Sequence, residues 1–163
     1  MEILEYLPEK IENTIKSEVL EQINNLEEIR LRVGQPIVLK FNDGEKIIRY
    51  SVSTEEILTC MQNICENSIY SYQNQIACGF ITINGGHRVG ISGSCVMEES
   101  KVKNINYIYS LNIRIAKEVI GCSNKIVKDV INLEENTIYN TLIASSPGAR
   151  KDNNIKRLNN TVK

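Results

Sequence analysis

The residues best suited to chemistry in this sequence lie between 137 and 151, which read TIYNTLIASSPGARK. An apolar strand is predicted over residues 138–144, and it leads into a loop that contains Pro147, Gly148 and Lys151. This layout is typical of a phosphate-binding loop with the pattern G-x-x-x-x-G-K-[ST]. Such a loop holds phosphate oxygens with backbone N–H groups and a lysine.

The loop departs from that pattern at the residues that matter most for a nucleotide. Ser145 stands in place of the first glycine, Arg150 in place of the second, and Asp152 in place of the hydroxyl residue that would ligate Mg²⁺. Arg150 restricts backbone geometry that glycine permits, and the Asp152 carboxylate would repel phosphate. We therefore predict that the chain as written has no catalytic residue and binds neither ATP nor a metal.

Composition sets the class of protein. The chain has 163 residues and a net charge of −1, so it is long enough for a domain with a core and lacks the basic balance of a nucleic-acid-binding protein. No apolar run approaches the length of a membrane span. Five cysteines and one histidine are scattered without metal-ligand spacing, and we interpret the cysteines as buried apolar residues in a reducing compartment.

Hydrophobic periodicity predicts a helix followed by strands in the first half of the chain. Residues 8–24 are predicted to be one amphipathic helix, and residues 26–33, 37–41 and 46–50 are predicted strands. Ser53 or Thr54 can cap the next helix, and Ser53 with Glu56 satisfies the capping-box pattern. The predicted buried residues of the two helices are Ile11, Ile15, Val19, Leu20 and Ile23, and Ile57, Leu58, Met61, Ile64 and Cys65.

The second half alternates in the manner of antiparallel strands. A short helix is predicted over residues 68–76, and a hairpin over 80–83 and 87–96, with His87 as a polar residue next to its turn. Residues 98–104 are predicted to be a polar connection and residues 107–116 a strand. Ser123 is a candidate cap for a helix ending near Leu133.

These elements predict an α+β fold with an N-terminal helix and an antiparallel sheet with packed helices. We assign this domain to residues 1–117. Residues 118–148 are predicted to begin a RecA-like α/β core that is left incomplete. Residues 149–163 contain few apolar residues, and we expect them to be a disordered tail.

Four blocks of the sequence resemble the stage III sporulation protein AA family. They are LEEIRLRVGQPI (26–37), FITINGGHRVGISGSCV (80–96), SLNIRIAKEV (110–119) and NTLIASSPG (140–148). That family is similar to the ATPases of type II and type IV secretion systems. The resemblance implies an N-terminal α+β domain before a RecA-like core, a homo-hexamer, ATP and Mg²⁺ as cofactors, and partners from the same sporulation operon. It also implies a place in the mother-cell cytoplasm, with peripheral membrane association only through those partners.

The resemblance also nominates residues for nucleotide binding. Ser146, Pro147, Gly148 and Lys151 match the family loop, while Arg114 and Arg88 are by position the candidates for the arginines that reach phosphates in related ATPases. The alternative is that each is an exposed arginine on a strand face, paired with a nearby acid. The family loop resembles S-P-P-G-x-G-K-T-T, and we suppose an in-frame protein with A-G-K-T-T-I-L-R where this chain reads A-R-K-D-N-N-I-K over residues 149–156. One inserted base would convert the first into the second. We therefore hypothesise a frameshift that truncates the ATPase core.

Two other functions stay open at this point. The chain can be a free-standing adaptor that acts through protein contacts and binds no nucleotide. It can also be a nucleic-acid-binding relative of these ATPases, although the near-neutral charge argues against that class.

Overall fold

The computed structural model describes residues 2–117, 129–132, 137–142 and 144. The chain divides into two compact units, Met1–Ala116 and Lys117–Lys163. The fold is α+β, with one large antiparallel sheet in the first unit, as the sequence predicts.

The sheet of the first unit has six strands in the order β3-β2-β1-β6-β5-β4, and every neighbouring pair is antiparallel. The strands are β1 (Leu26–Arg32), β2 (Ile37–Phe41), β3 (Gly44–Ile48), β4 (Phe80–Thr82), β5 (Arg88–Glu98) and β6 (Lys101–Arg114). The pairing of β1 with β6 joins an N-terminal meander to the hairpins that follow it in the chain.

One face of the sheet is apolar. Leu39, Ile29, Ile113, Val89 and Ile81 lie opposite one another across five strands. All five side chains are fully buried. Because side chains alternate along a strand, this inner face dictates that the residues between them point to the other, outer face.

The inner face is covered by short helices. The helices are α1 (Glu9–Val19), α2 (Thr54–Ile64) and α3 (Gln73–Ala77), with a 3₁₀ helix at Glu2–Tyr6. They contribute Ile11, Ile15, Ile57 and Ile64, among others, to the same buried cluster as the inner strand residues. The burial of this apolar cluster provides the main driving force for the folding of the first unit.

The start of α2 confirms the capping box. The backbone N–H of Glu56 donates to Ser53 Oγ at 3.1 Å, and the N–H of Ser53 donates to Glu56 Oε2 at 2.8 Å. The hydroxyl of Tyr50 donates to the other oxygen of the same carboxylate. This hydrogen bond, together with desolvation, raises the pKa of Tyr50 to about 12.

The helical predictions are partly wrong. The helix predicted over residues 8–24 ends at Val19, and residues Leu20–Asn25 form a 3₁₀ helix. The tighter winding takes Leu20 out of the buried stripe, and it is 67% exposed. Leu58 is also exposed, and residues 68–76 form a 3₁₀ helix, Ile69–Tyr72, before α3 begins at Gln73.

The polar connection predicted over residues 98–104 is wrong. β5 continues to Glu98 and β6 begins at Lys101, so the two strands form one long ribbon around a tight turn. Charged residues are tolerated there because both faces of the ribbon end are exposed. The ribbon has a bulge, since Ser92 pairs with Ser110 but Ser94 pairs with Asn106.

The second unit contains a two-stranded antiparallel sheet of β7 (Ile131–Asn132) and β8 (Thr137–Ile138). The predicted helix ending near Leu133 is therefore wrong at residues 131–132. The strand predicted over residues 138–144 is wrong at 139–142 and at 144, which are in no regular element. The remaining residues of both predictions lie outside the described part of the chain.

The cysteines do not share one environment. Cys60 and Cys65 are buried, whereas Cys78 and Cys95 are exposed. The prediction that all five are buried is therefore wrong for Cys78 and Cys95, and Cys122 lies outside the described residues. Desolvation raises the pKa of Cys60 to about 12, so its thiol stays protonated at neutral pH.

Candidate functional site

The outer face of the sheet carries most of its charge in three rows across β1, β6 and β5. Each row contains one residue from each strand, and neighbouring rows are two residues apart along the strands. The rows are Glu28–Arg114–Arg88, Arg30–Asn112–Gly90 and Arg32–Ser110–Ser92. Four arginines therefore share one face with a single glutamate among these nine residues.

Arg88 and Arg114 lie directly opposite each other on β5 and β6. The Arg88 guanidinium carbon lies 3.6 Å from the centroid of the Phe80 ring, and Arg114 Nε lies 3.7 Å from Glu28 Oε2. Two like charges at directly opposed positions repel each other. The two guanidinium groups lie toward different flanking strands, Arg88 over Phe80 of β4 and Arg114 near Glu28 of β1, so an anion shared by both would have to draw them from these contacts.

Arg30 is already neutralised by its neighbours. Its Nε donates to Glu28 and its second guanidinium nitrogen donates to Glu45 Oε1 at 2.9 Å. The hydrogen bond to Glu28 is the main cause of a raised pKa of Arg30. Arg30 is thus held in place and offers less of its charge to a ligand than the other arginines of this face.

A groove of about 440 Å³ lies over the second and third rows. It is lined by Arg30, Arg32, Gln35, Pro36, Val38, Ser92, Ser110 and Asn112. Its walls combine guanidinium, hydroxyl and amide groups with two apolar residues. These polar groups offer hydrogen-bond donors and acceptors to a polar ligand.

The predicted site residues fall into two groups. The structure brings Arg88 and Arg114 together, a neighbour relation set by strand pairing over a long sequence separation. Ser146, Pro147, Gly148 and Lys151 lie outside the described residues. Sequence reasoning missed Arg30, Arg32 and Asn112, although the alternation in residues 26–33 and 110–114 contained the signal that they share a face.

His87 has a structural role that its turn position did not reveal. The backbone N–H of Ala116 donates to His87 Nδ1 at 2.9 Å. This bond fixes the end of β6 against the turn of the β4–β5 hairpin. It therefore helps to hold Arg88 and Arg114, the flanking residues on the two strands, in their opposed positions.

Metal-binding clusters and membrane-spanning helices are absent from the described part of the chain. Among those residues, no group of three or more His, Cys, Asp or Glu side chains has the geometry to hold a metal ion. Within the same ranges, no helix is long and apolar enough to span a membrane.

Comparison with known proteins decides the family. The model of the family described as sporulation stage III, protein AA matches residues 1–162. The chain belongs to this family. It is 31% identical over 165 residues to the stage III sporulation protein AA of Bacillus subtilis (strain 168), and the match covers 99% of this chain. It covers 53% of that relative, so the chain spans about half the length of the curated relative it matches.

Two solved structures of ATPases are also similar to this chain. One is the ATPase DotB of Legionella pneumophila, with a TM-score of 0.40, 13% identity, and coverage of 72% of this chain and 34% of that one. The other is the VirB11 ATPase of the Brucella suis type IV secretion system in complex with sulphate. Its TM-score is 0.38 at 10% identity, with coverage of 91% of this chain and 44% of that one.

Proposed function

We propose that this chain is the N-terminal part of a sporulation ATPase. The intact protein would hydrolyse ATP to drive assembly or transport by a secretion-like complex between mother cell and forespore. Membership of the stage III sporulation protein AA family supports the sporulation role. The observation that carries a nucleotide role for this domain is the direct opposition of Arg88 and Arg114 on an exposed face.

In this proposal the two arginines contact nucleotide phosphates in the intact protein. Guanidinium groups bind phosphate oxygens through two parallel N–H donors, and a pair of them offers four such donors. ATP and Mg²⁺ are the cofactors of the intact protein. Ser146, Pro147, Gly148 and Lys151 belong to its phosphate-binding loop, where Lys151 would contact the β- and γ-phosphates.

For the chain as written we propose no ATP hydrolysis. Arg150 and Asp152 replace the glycine and the hydroxyl residue of the loop. The partners of the intact protein are a homo-hexamer of its own chain and other proteins of the sporulation stage III operon. Its location is the mother-cell cytoplasm, with contact to the forespore membrane through those partners.

The test compares nucleotide binding by two proteins, and it measures binding by the fluorescence of a methylanthraniloyl ATP analogue. One is the chain as written, and the other restores and continues the family reading frame after Ala149. We expect the restored protein to bind at least tenfold more tightly. Equal binding by both would refute the assignment of the loop.

Variants of the restored protein test the arginine pair. Arg114→Ala and Arg88→Ala should each weaken analogue binding about tenfold, the effect of losing one charged hydrogen bond. Lys10→Ala removes the same charge from helix α1, which packs on the inner face, and should leave binding unchanged. If the arginine variants bind like Lys10→Ala, the two arginines do not contact phosphate.

A second function, a non-enzymatic adaptor, is favoured by the far end of the β5–β6 ribbon. Val96, Met97 and Val102 are all exposed there, with Met97 57% exposed. Contiguous exposed apolar side chains mark protein contacts, and Met97 lies directly opposite Val102 in the ribbon. Retention of the biological role by a restored protein that carries both Arg88→Ala and Arg114→Ala would favour the adaptor over the ATPase.

A further inference from the structure

The groove beside Arg32 is distinct from the Arg88–Arg114 pair. Ser110 and Arg114 are four residues apart on β6, and Arg32 and Glu28 are four residues apart on β1. At about 3.4 Å per residue, the row of Arg32 and Ser110 lies roughly 14 Å from the pair along the strands, and the nearer row of the groove lies about 7 Å from it. A ligand of the groove therefore does not have to be the nucleotide of the proposed function.

The charge of the groove favours a single negative charge. Arg30 is engaged by Glu28 and Glu45, whereas Arg32 has no ion pair among the described residues. One guanidinium is thus available to a ligand. A triphosphate would bring several negative charges close to the two glutamates, but a carboxylate brings one and matches the planar donors of Arg32.

Asn112 adds a requirement for a donor. Its Oδ1 is buried and has no hydrogen-bond partner among the residues that the structure describes. It lies in the row between Arg30 and Gly90, and Gly90 places no side chain beside Asn112 on the outer face. A buried acceptor without a donor costs stability, so a ligand that brings an N–H group would be favoured here.

We propose that this groove binds an extended acidic segment of a partner protein. The Asp or Glu carboxylate of the segment accepts hydrogen bonds from Arg32 and from the hydroxyls of Ser92 and Ser110. A backbone N–H of the segment donates to Asn112 Oδ1. The rows of Arg32 and Asn112 are two residues, or about 7 Å, apart, a distance that one carboxylate side chain and one or two backbone steps can span.

The first experiment titrates the ¹⁵N-labelled full chain with a pentapeptide, acetyl-Ala-Ala-Asp-Ala-Ala-amide, and follows amide chemical shifts. We expect saturable shifts in β1, β5 and β6, and at least tenfold weaker binding of the matched peptide with Asn in place of Asp. Arg32→Ala should weaken binding of the Asp peptide about tenfold, since it removes a charged bidentate contact. Arg32→Lys should lie between the two, and Lys10→Ala should match the parent chain.

The same titration contains the results that would overturn the proposal. Equal binding of the Asp and Asn peptides, or no saturable shift at millimolar peptide, would overturn it. So would an equal loss in Arg32→Ala and Lys10→Ala. Inorganic triphosphate that shifts the same groove amides at lower concentration than the Asp peptide would assign the site to phosphate and would also overturn it.

A second experiment isolates the Asn112 contact. Methylation of the peptide nitrogens that flank the Asp residue removes its N–H donors, and we expect about fivefold weaker binding to the parent chain. In the Asn112→Ala variant the same methylation should have no effect, because the acceptor is already gone. A methylation penalty of equal size in both proteins would refute the role of Asn112.

Discussion

Gly93 in β5 is the position where one added methyl group should do the most damage to the sheet. A Cβ at Gly93 would lie 2.6 Å from the carbonyl oxygen of Asn106 and 2.6 Å from Cγ2 of Ile105. Ordinary contacts between such atoms are about 3.5–4.0 Å, so the overlap is about 1 Å. Because one of the contacted atoms belongs to the backbone of β6, the ribbon itself has to move.

Gly90, three residues earlier on β5, provides a matched control. A Cβ there would meet its nearest atoms, both of Asn112, at 3.7 Å, which is an ordinary contact. Replacing either glycine by alanine reduces the entropy of the unfolded chain by a similar amount, about 0.4–1 kcal/mol. The difference between the two variants therefore isolates the clash, which overpacking data place at about 1–3 kcal/mol.

The assay is urea unfolding of Gly93→Ala and Gly90→Ala, followed by circular dichroism. With a denaturant slope of about 2 kcal/mol/M, the midpoint of Gly93→Ala should lie about 0.5–1.5 M below that of Gly90→Ala. Midpoints within about 0.2 M of each other, at equal slopes, would show that the bulge accepts a side chain. The short distance between Gly93 of β5 and the backbone of β6 would then be refuted.

Four further predictions concern the helix cap, the bulge, the Tyr50 hydroxyl and the cysteines. Ser53→Ala should lower the free energy of unfolding by about 1 kcal/mol, because it removes the hydroxyl that accepts the Glu56 N–H hydrogen bond. The control variant Ser51→Ala should leave the free energy of unfolding unchanged in the same thermal melt. Tyr107 has a φ of 46° and is 85% exposed, so Tyr107→Asn should raise the free energy of unfolding by about 0.5–1 kcal/mol, and a loss instead would show that the ring packs on the protein. The pKa of Tyr50 is raised from 10 to about 12 on folding, so its contribution is complete below pH 10 and is lost as the pH rises through 12. Tyr50→Phe should therefore flatten the fall of stability with pH in that window, and an unchanged slope would refute the bond to Glu56. In a Cys122→Ser background, thiol labelling at pH 8 should modify Cys78 and Cys95 before Cys60 and Cys65, as read by mass spectrometry of digested protein.

Local signals in the sequence predicted local structure well. The Ser53 cap and the bounds of β2 follow from residue type and alternation, and the structure confirms both. The prediction that Leu20 and Leu58 are buried was wrong. Helical spacing identifies the apolar stripe of a helix, but it does not identify which residues at the edge of the stripe the neighbouring elements cover.

The candidate site was less accessible to sequence reasoning. Arg88 and Arg114 were nominated by a resemblance, but their opposition depends on the register of β5 with β6. Arg32 and Asn112 join the same face only because β1 pairs with β6, across almost the whole length of the first unit. Alternation indicates which residues of one strand share a face, but it does not identify the neighbouring strand.

The outer arginines also bear on how the sheet avoids misfolding. The inner residues of β1, β5 and β6 are Ile, Leu and Val of similar size, so they discriminate poorly between alternative alignments of the strands. A slip of one residue would turn Arg88 or Arg114 toward the helices, where an unpaired guanidinium is heavily penalised. We expect alanine at both positions to increase misaligned or aggregated product during refolding even if the native protein is no less stable.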